Sequence, residues 1–138
     1  MSDPKFTPSI ARAHCLCGAV RIHATLPSKW VAHCHCSRCQ RAHGAGVVTW
    51  AGFEAARVRI IDTTGALRWH EADTGASRGF CSRCGTPMLF KSPRWPGEVH
   101  IARALFIDPL DREPQVHVHV ESAVTWLHLG DTLPRKRG

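Results

Sequence analysis

The densest chemistry in the chain lies in six consecutive positions, Cys34-His35-Cys36-Ser37-Arg38-Cys39. A structural thiol buried as a small hydrophobe occurs singly. Cys-x-Cys-x-x-Cys on one loop instead aims three sulfurs at a common point, the donor set of a soft tetrahedral metal. Three protein ligands leave one coordination position for water or substrate, the catalytic pattern of zinc, whereas a fourth protein ligand closes the site and makes it structural. Two further pairs stand apart from this loop, Cys15-Leu16-Cys17-Gly18 and Cys81-Ser82-Arg83-Cys84. Gly18 permits the tight turn that points backbone amides at thiolates, so each pair reads as half of a zinc knuckle.

Two zinc ions account for all seven cysteines if Cys15, Cys17, Cys81 and Cys84 form one site and Cys34, Cys36 and Cys39 the other. The first site would be structural: it ties segments distant in sequence, and closing so long a loop with metal contributes folding free energy directly. A pairing that sends Cys34 and Cys36 to a knuckle strands the remaining sulfurs. The second site is open unless a histidine completes it. His43, four positions past Cys39, can reach if a helical turn forms there, whereas His35 is held between two ligands by the backbone.

The elements that must position these residues are short. Val20 to Leu26 alternates strictly, with Val20, Ile22, Ala24 and Leu26 on one face of a half-buried strand, and Pro27-Ser28 ends it. Trp30 to His33 leads as a strand into the three-cysteine loop, Gln40 to His43 is read as one helical turn, and Gly44-Ala45-Gly46 stops it. Val47 to Trp50 and Arg57 to Ile61 read as strands around a turn at Gly52. Leu67 to His70, Met88 to Phe90, Val99 to Ile101 and Val116 to Val120 follow as further strands. Trp95, in the loop Ser92-Pro93-Arg94-Trp95-Pro96-Gly97, either lines a pocket or caps the core edge. Many short strands without long helical periodicity predict a single all-β domain over residues 10–133, with a loose arm at 1–9 and a solvated basic tail at 134–138.

At 138 residues the chain can bury a core without disulfides, and an odd count of seven cysteines with no export signal favours metal thiolates over a disulfide framework. No run approaches the roughly 20 apolar residues of a membrane span, and a cytoplasmic protein is expected. The formal charge of +7 raises the question of nucleic acid, but seven thiolates and two divalent ions would lower it. The cations are also scattered, Arg135-Lys136-Arg137 being the one run, so nucleic-acid binding is the lesser reading.

Four motifs in order resemble the glutathione-dependent formaldehyde-activating enzymes, a family that includes the centromere protein V-like proteins. They are Cys15-Leu16-Cys17-Gly18-Ala19-Val20, Cys34 to Cys39 with Gly44 following, Phe80-Cys81-Ser82-Arg83-Cys84-Gly85-Thr86-Pro87, and His117 through Glu121-Ser122 to Trp126. The resemblance spans nearly the whole domain. It implies a β-tent of stacked antiparallel sheets, a structural zinc on Cys15, Cys17, Cys81 and Cys84, and a second zinc on Cys34, Cys36 and Cys39. It also implies a carbon-sulfur lyase running in its addition direction, condensing formaldehyde with the glutathione thiol to S-hydroxymethylglutathione. The chain departs from the family pattern at His119, where an aromatic is expected, and at Ala123-Val124-Thr125, where Lys-Ala-Pro is expected.

The catalytic candidates are therefore Cys34, Cys36 and Cys39 around an open zinc, with His35 or His43 as proton shuttle and Arg38 and Arg41 to hold the carboxylates of a glutathione-like thiol. The alternative is a zinc-stabilised binding module that uses its basic surface without catalysis, and a third reading makes both ions purely structural in a small fold.

Overall fold

The computed structural model describes residues 9–138; residues 1–8, most of the expected N-terminal arm, lie outside the described residues. Alternating burial makes β1 (Ile10–His14) and β2 (Arg21–Thr25) an antiparallel pair, with Ala11 opposite Ala24 and Ala13 opposite Ile22 on the inner face. β5 (Val58–Ile61) extends β2 to give a three-stranded sheet.

The second sheet is larger. It joins β3 (Trp30–Cys34), β4 (Val48–Glu54), β6 (Leu67–Glu71), β7 (Ser77–Cys81), β8 (Pro87–Lys91), β9 (Glu98–Ala102) and β10 (Val116–Val118) in the order β10-β3-β4-β9-β8-β7-β6. Its pairs are antiparallel, as the resemblance implies, except at the edge, where β10 runs parallel to β3. The physical reason is the long connection after β9, which lets the chain return to β3 in the same direction. The core draws on both sheets: Ile22, Val31, Phe53, Met88, Leu89 and Ile101 are fully buried in one cluster. Each contributes about 1.5–3 kcal/mol by leaving water.

Gly52 is not a turn, as expected, but lies inside β4. It stands in a row that crosses five strands, Trp30, Gly52, His100, Phe90 and Arg78, each paired with the next. A Cβ at Gly52 would come within 2.3 Å of the Trp30 ring, so the missing side chain is what lets that ring lie across β4 to meet His100, centroid to centroid at 4.6 Å. The one α-helix among the described residues, α1 (Ser37–His43), starts earlier than the single turn read at Gln40 to His43 because Cys36 caps it. Gly44, left-handed at φ 62°, ends it by donating its amide to the Gln40 carbonyl. β10 stops at Val118 rather than Val120, since His119 turns the chain with a φ of 57°. The basic tail, expected to be solvated, runs along β10: His117 donates to the Pro134 carbonyl and Lys136 to the His117 carbonyl, at 2.9 and 2.8 Å.

Candidate functional site

The structure gathers the cysteines into two groups, Cys15, Cys17, Cys81 and Cys84 in one and Cys34, Cys36 and Cys39 in the other, with the sulfurs of each group within 4.8 Å of one another. All seven are free thiols. In the four-sulfur group each pair is closed by a glycine turn, one residue longer at Cys81-Ser82-Arg83-Cys84 than at Cys15-Leu16-Cys17. Gly18 donates its amide to the Cys15 carbonyl at 3.1 Å and Gly85 to the Cys81 carbonyl at 2.7 Å, with φ of 80° and 82°, conformations that suit glycine. Thr86 ties the halves: its hydroxyl accepts the Leu16 amide at 3.0 Å and lies 3.1 Å from the Cys84 sulfur. That contact, ahead of any other influence, holds the Cys84 thiol down to about 5.

The three-sulfur group is built at a strand-to-helix junction. Cys34 closes β3, Cys36 is the N-cap of α1 with its sulfur accepting the Cys39 amide at 3.3 Å, and Cys39 sits in the first turn. Backbone contacts fix the loop between them: the His35 amide donates to the Val118 carbonyl, and the Gln40 side chain donates to the carbonyls of His35 and Ser122. Spacing therefore becomes convergence through a β10 edge that lies far downstream.

Both groups fit a tetrahedral ion with thiolate ligands. Two zinc–sulfur bonds of about 2.3 Å at the tetrahedral angle place sulfurs about 3.8 Å apart. The observed separations are 3.8 Å for Cys15 and Cys17, 3.9 Å for Cys17 and Cys81, and 3.7 Å for Cys34 and Cys39. All are far from the roughly 2.05 Å of a disulfide. Among the described residues no histidine joins the three sulfurs. His43 instead packs edge-on against Trp50 at 5.1 Å, and burial, followed by the charge of Arg78, holds its imidazole down to about 4.

The charge within the three-sulfur group is uneven. Hydrogen bonds from the Cys34 and Cys39 thiols draw Cys36 far below the usual thiol range, and Cys34, which shares its proton with Cys36 and is buried, is pushed far above it. A cation faces the group from β7: Arg78 Nη2 donates to the Cys39 sulfur at 3.6 Å, while its Nη1 is buried without a partner.

The His35 ring is not brought to these sulfurs. It lines a separate small cavity of about 160 Å³ with His117, and its Nε2 lies 2.8 Å from His117 Nδ1. His117 Nε2 in turn meets both carboxylate oxygens of Asp131 at 3.0 Å, which holds the Asp131 carboxyl down to about 2. His35 is therefore a tether. Its backbone spaces Cys34 from Cys36, and its ring docks the loop to β10 and to the segment at Asp131.

The three cysteines instead share a cleft of about 710 Å³. Trp30, Trp50, Phe90, Trp95 and His100 form one wall, and Arg38, Arg78, Arg94, Lys136 and Arg137 bring positive charge to it. Trp95 thus lines a pocket, and of the two arginines proposed to hold a substrate, Arg38 reaches the cleft whereas Arg41 is not among its lining residues. His119 also lines it. The sequence singled out neither Arg78 nor His100, since their convergence depends on strand register across the sheet. His119 did carry a signal, as the departure from the family aromatic.

Fold and site together define an all-β protein with two cysteine clusters shaped for metal, one saturated by protein and one not. The profile of the family described as glutathione-dependent formaldehyde-activating enzyme matches residues 10–122, and the chain belongs to that family. A Halomonas elongata protein named "Putative glutathione-dependent formaldehyde-activating enzyme" is 28% identical over 122 residues, covering 83% of this chain and 78% of its own. A Rhodobacter sphaeroides protein of known crystal structure shares the fold, with a TM-score of 0.60 at 22% identity over 90% of this chain and 98% of that one. No helix among the described residues is long and apolar enough to cross a membrane.

Proposed function

We propose that this chain is a zinc-dependent carbon-sulfur lyase acting in its addition direction, joining a thiol to formaldehyde, with glutathione the thiol that the family name suggests. The observation that carries this reading is the contrast in ligand count: four sulfurs close one group, whereas three sulfurs in the other open onto a cleft large enough for a small molecule. Cys34, Cys36 and Cys39 would hold the ion of the open site, and Cys15, Cys17, Cys81 and Cys84 the structural one. Bound in the open site, zinc supplies a coordination position at which a thiol loses its proton near neutral pH.

The remaining work falls to side chains. Arg78 offsets the negative charge of three thiolates through its contact with Cys39. His119, on the cleft beside Cys36, is positioned to take the thiol proton and return it to the product oxygen. His35 serves the site as a positioning residue, through the His117 and Asp131 contacts. The reaction balances without oxidant or reductant: a sulfur lone pair forms the S–C bond, the carbonyl π pair moves onto oxygen, and the thiol proton ends there. We place the reaction in the cytoplasm because seven unoxidised thiols call for a reducing compartment.

The reading is tested by counting metal and product together. Purified protein is expected to carry two zinc ions and to form the hydroxymethyl thioether from glutathione and formaldehyde above the uncatalysed rate. Cys36→Ser is expected to stay folded, keep one zinc and lose turnover. Full activity in that variant would exclude the metal-centred mechanism. A basic-surface binding module would instead show salt-sensitive polyanion binding that ignores Cys36.

A further inference from the structure

The cleft's lining says more about the thiol than the cysteines do. Its aromatic wall is continuous: Trp50 lies 6.0 Å from Phe90 and Phe90 6.0 Å from Trp95, ring centroid to ring centroid, with His100 stacked on Phe90 at 5.5 Å. It starts beside the sulfurs, since Trp50 packs in one buried cluster with Cys34 and Cys39. Two cations lie on its rings, the Arg78 guanidinium 4.9 Å over Phe90 and that of Arg94 4.7 Å over Trp95. Arg78 Nη1, buried and unpartnered, still lacks an acceptor.

Among the described residues lining the cleft there is no aspartate or glutamate. The acids next to the lining are already engaged: Glu98 by His100 at 2.9 Å and by Lys29 at 2.8 Å, and Glu121 by the Gly138 amide at 2.9 Å and by His119 at 3.8 Å. Glutathione carries an ammonium group as well as two carboxylates; on this wall the ammonium would meet indole faces but no carboxylate partner, with Arg78 and Arg94 beside it as like charges. A thiol with an acid group and no ammonium meets no such penalty, and a flat apolar body behind the sulfur would cover the rings.

We infer that the cleft selects an anionic, ammonium-free thiol with an aromatic or similarly flat apolar body, its sulfur at Cys34, Cys36 and Cys39, its body along Trp50 and Phe90, and its acid group between Arg78 and Arg94. The inference rests on the thiol-binding reading of the three-cysteine site and puts a different class of thiol ahead of the glutathione that the family name suggests. The covalent step is unchanged, an S–C bond formed as the carbonyl π pair and the thiol proton pass to oxygen.

The test is titration calorimetry on the zinc-loaded full chain with four probes: glutathione, 4-(mercaptomethyl)benzoate, its uncharged analogue benzyl mercaptan, and the cationic thiol cysteamine. Adduct formation with formaldehyde is measured in parallel. The aromatic acid is expected to bind about 10-fold or more tightly than glutathione, and cysteamine most weakly. Arg94→Gln, at an exposed position, is expected to collapse the preference for the aromatic acid over benzyl mercaptan, and Trp95→Ala to weaken both aromatic thiols. If glutathione binds as tightly as the aromatic acid and is turned over, the specificity proposed here is overturned while the lyase reading stands. If no thiol binds and none is turned over by zinc-loaded protein, the thiol-site reading fails and this inference with it.

Discussion

The two cysteine clusters use one ligand type at nearly one spacing, yet their surroundings differ in every other respect. The four-sulfur group is made by two glycine turns that clasp each other through Thr86, and Cys15 and Cys81 are wholly buried in the main core. The three-sulfur group straddles the end of β3 and the start of α1, is docked to β10, and faces a cleft of aromatic rings and arginines. In the function proposed above, what separates the anchoring centre from the reactive one is a single missing protein ligand and the cleft onto which the three sulfurs open.

The contrast can be broken most severely at the anchoring centre. Cys81→Ser is expected to cost the fold: metal binding to a structural thiolate site is folding free energy, on the order of 10 kcal/mol, and its loss exceeds the stability of a domain of this size. Circular dichroism should show no cooperative melt, whereas Cys36→Ser should melt as a folded protein. Similar melts for the two would mean that both centres carry the same structural load.

A smaller effect, confined to the reactive side, is expected at Gly52. A Cβ there collides with the Trp30 ring, so Gly52→Ala displaces one end of the aromatic wall. Overpacking of this kind costs about 1–3 kcal/mol. Chemical denaturation should register that loss and thiol binding should weaken, while the zinc of the four-sulfur group is retained. Unchanged stability would show that Trp30 does not depend on the glycine.

The smallest expected effect concerns acid. His43 is folded into the site neutral, held at about 4 by burial and then by Arg78, against an ordinary value of about 6.5. The unfolded chain therefore takes up more protons than the folded one between these values. The contribution is fully present above about 6.5 and is lost as pH falls toward 4. His43→Gln should lose less in thermal midpoint across that window than the parent chain, and an identical loss would place the titration elsewhere.

Much of this was legible in the sequence where the physics is local. The Cys-x-Cys-x-x-Cys spacing and the two knuckle pairs fix which sulfurs can meet, and the alternation from Val20 to Leu26 shows one buried face at Ile22 and Ala24. What escaped depends on register between distant strands. Arg78 and His100 reach the cleft only because Phe90 pairs with both, and nothing in either segment alone announces it. Gly52 looked like a turn because its actual partner, the Trp30 ring, comes from another strand. His35 was offered as a proton shuttle because it is the sulfurs' neighbour in the chain, yet the residue that engages its ring, His117, lies in β10. The parallel return of β10 likewise follows from a connection whose path no periodicity records.

The central claim is that the three-sulfur centre holds an ion with room for a thiol from outside while the four-sulfur centre does not. X-ray absorption at the zinc edge, on the protein before and after addition of a thiol, tests it directly. The predicted result is a rise in the mean number of sulfurs per zinc in the parent chain and none in Cys36→Ser with its reactive site emptied. A sulfur count that stays constant in the parent chain under saturating thiol would contradict the account.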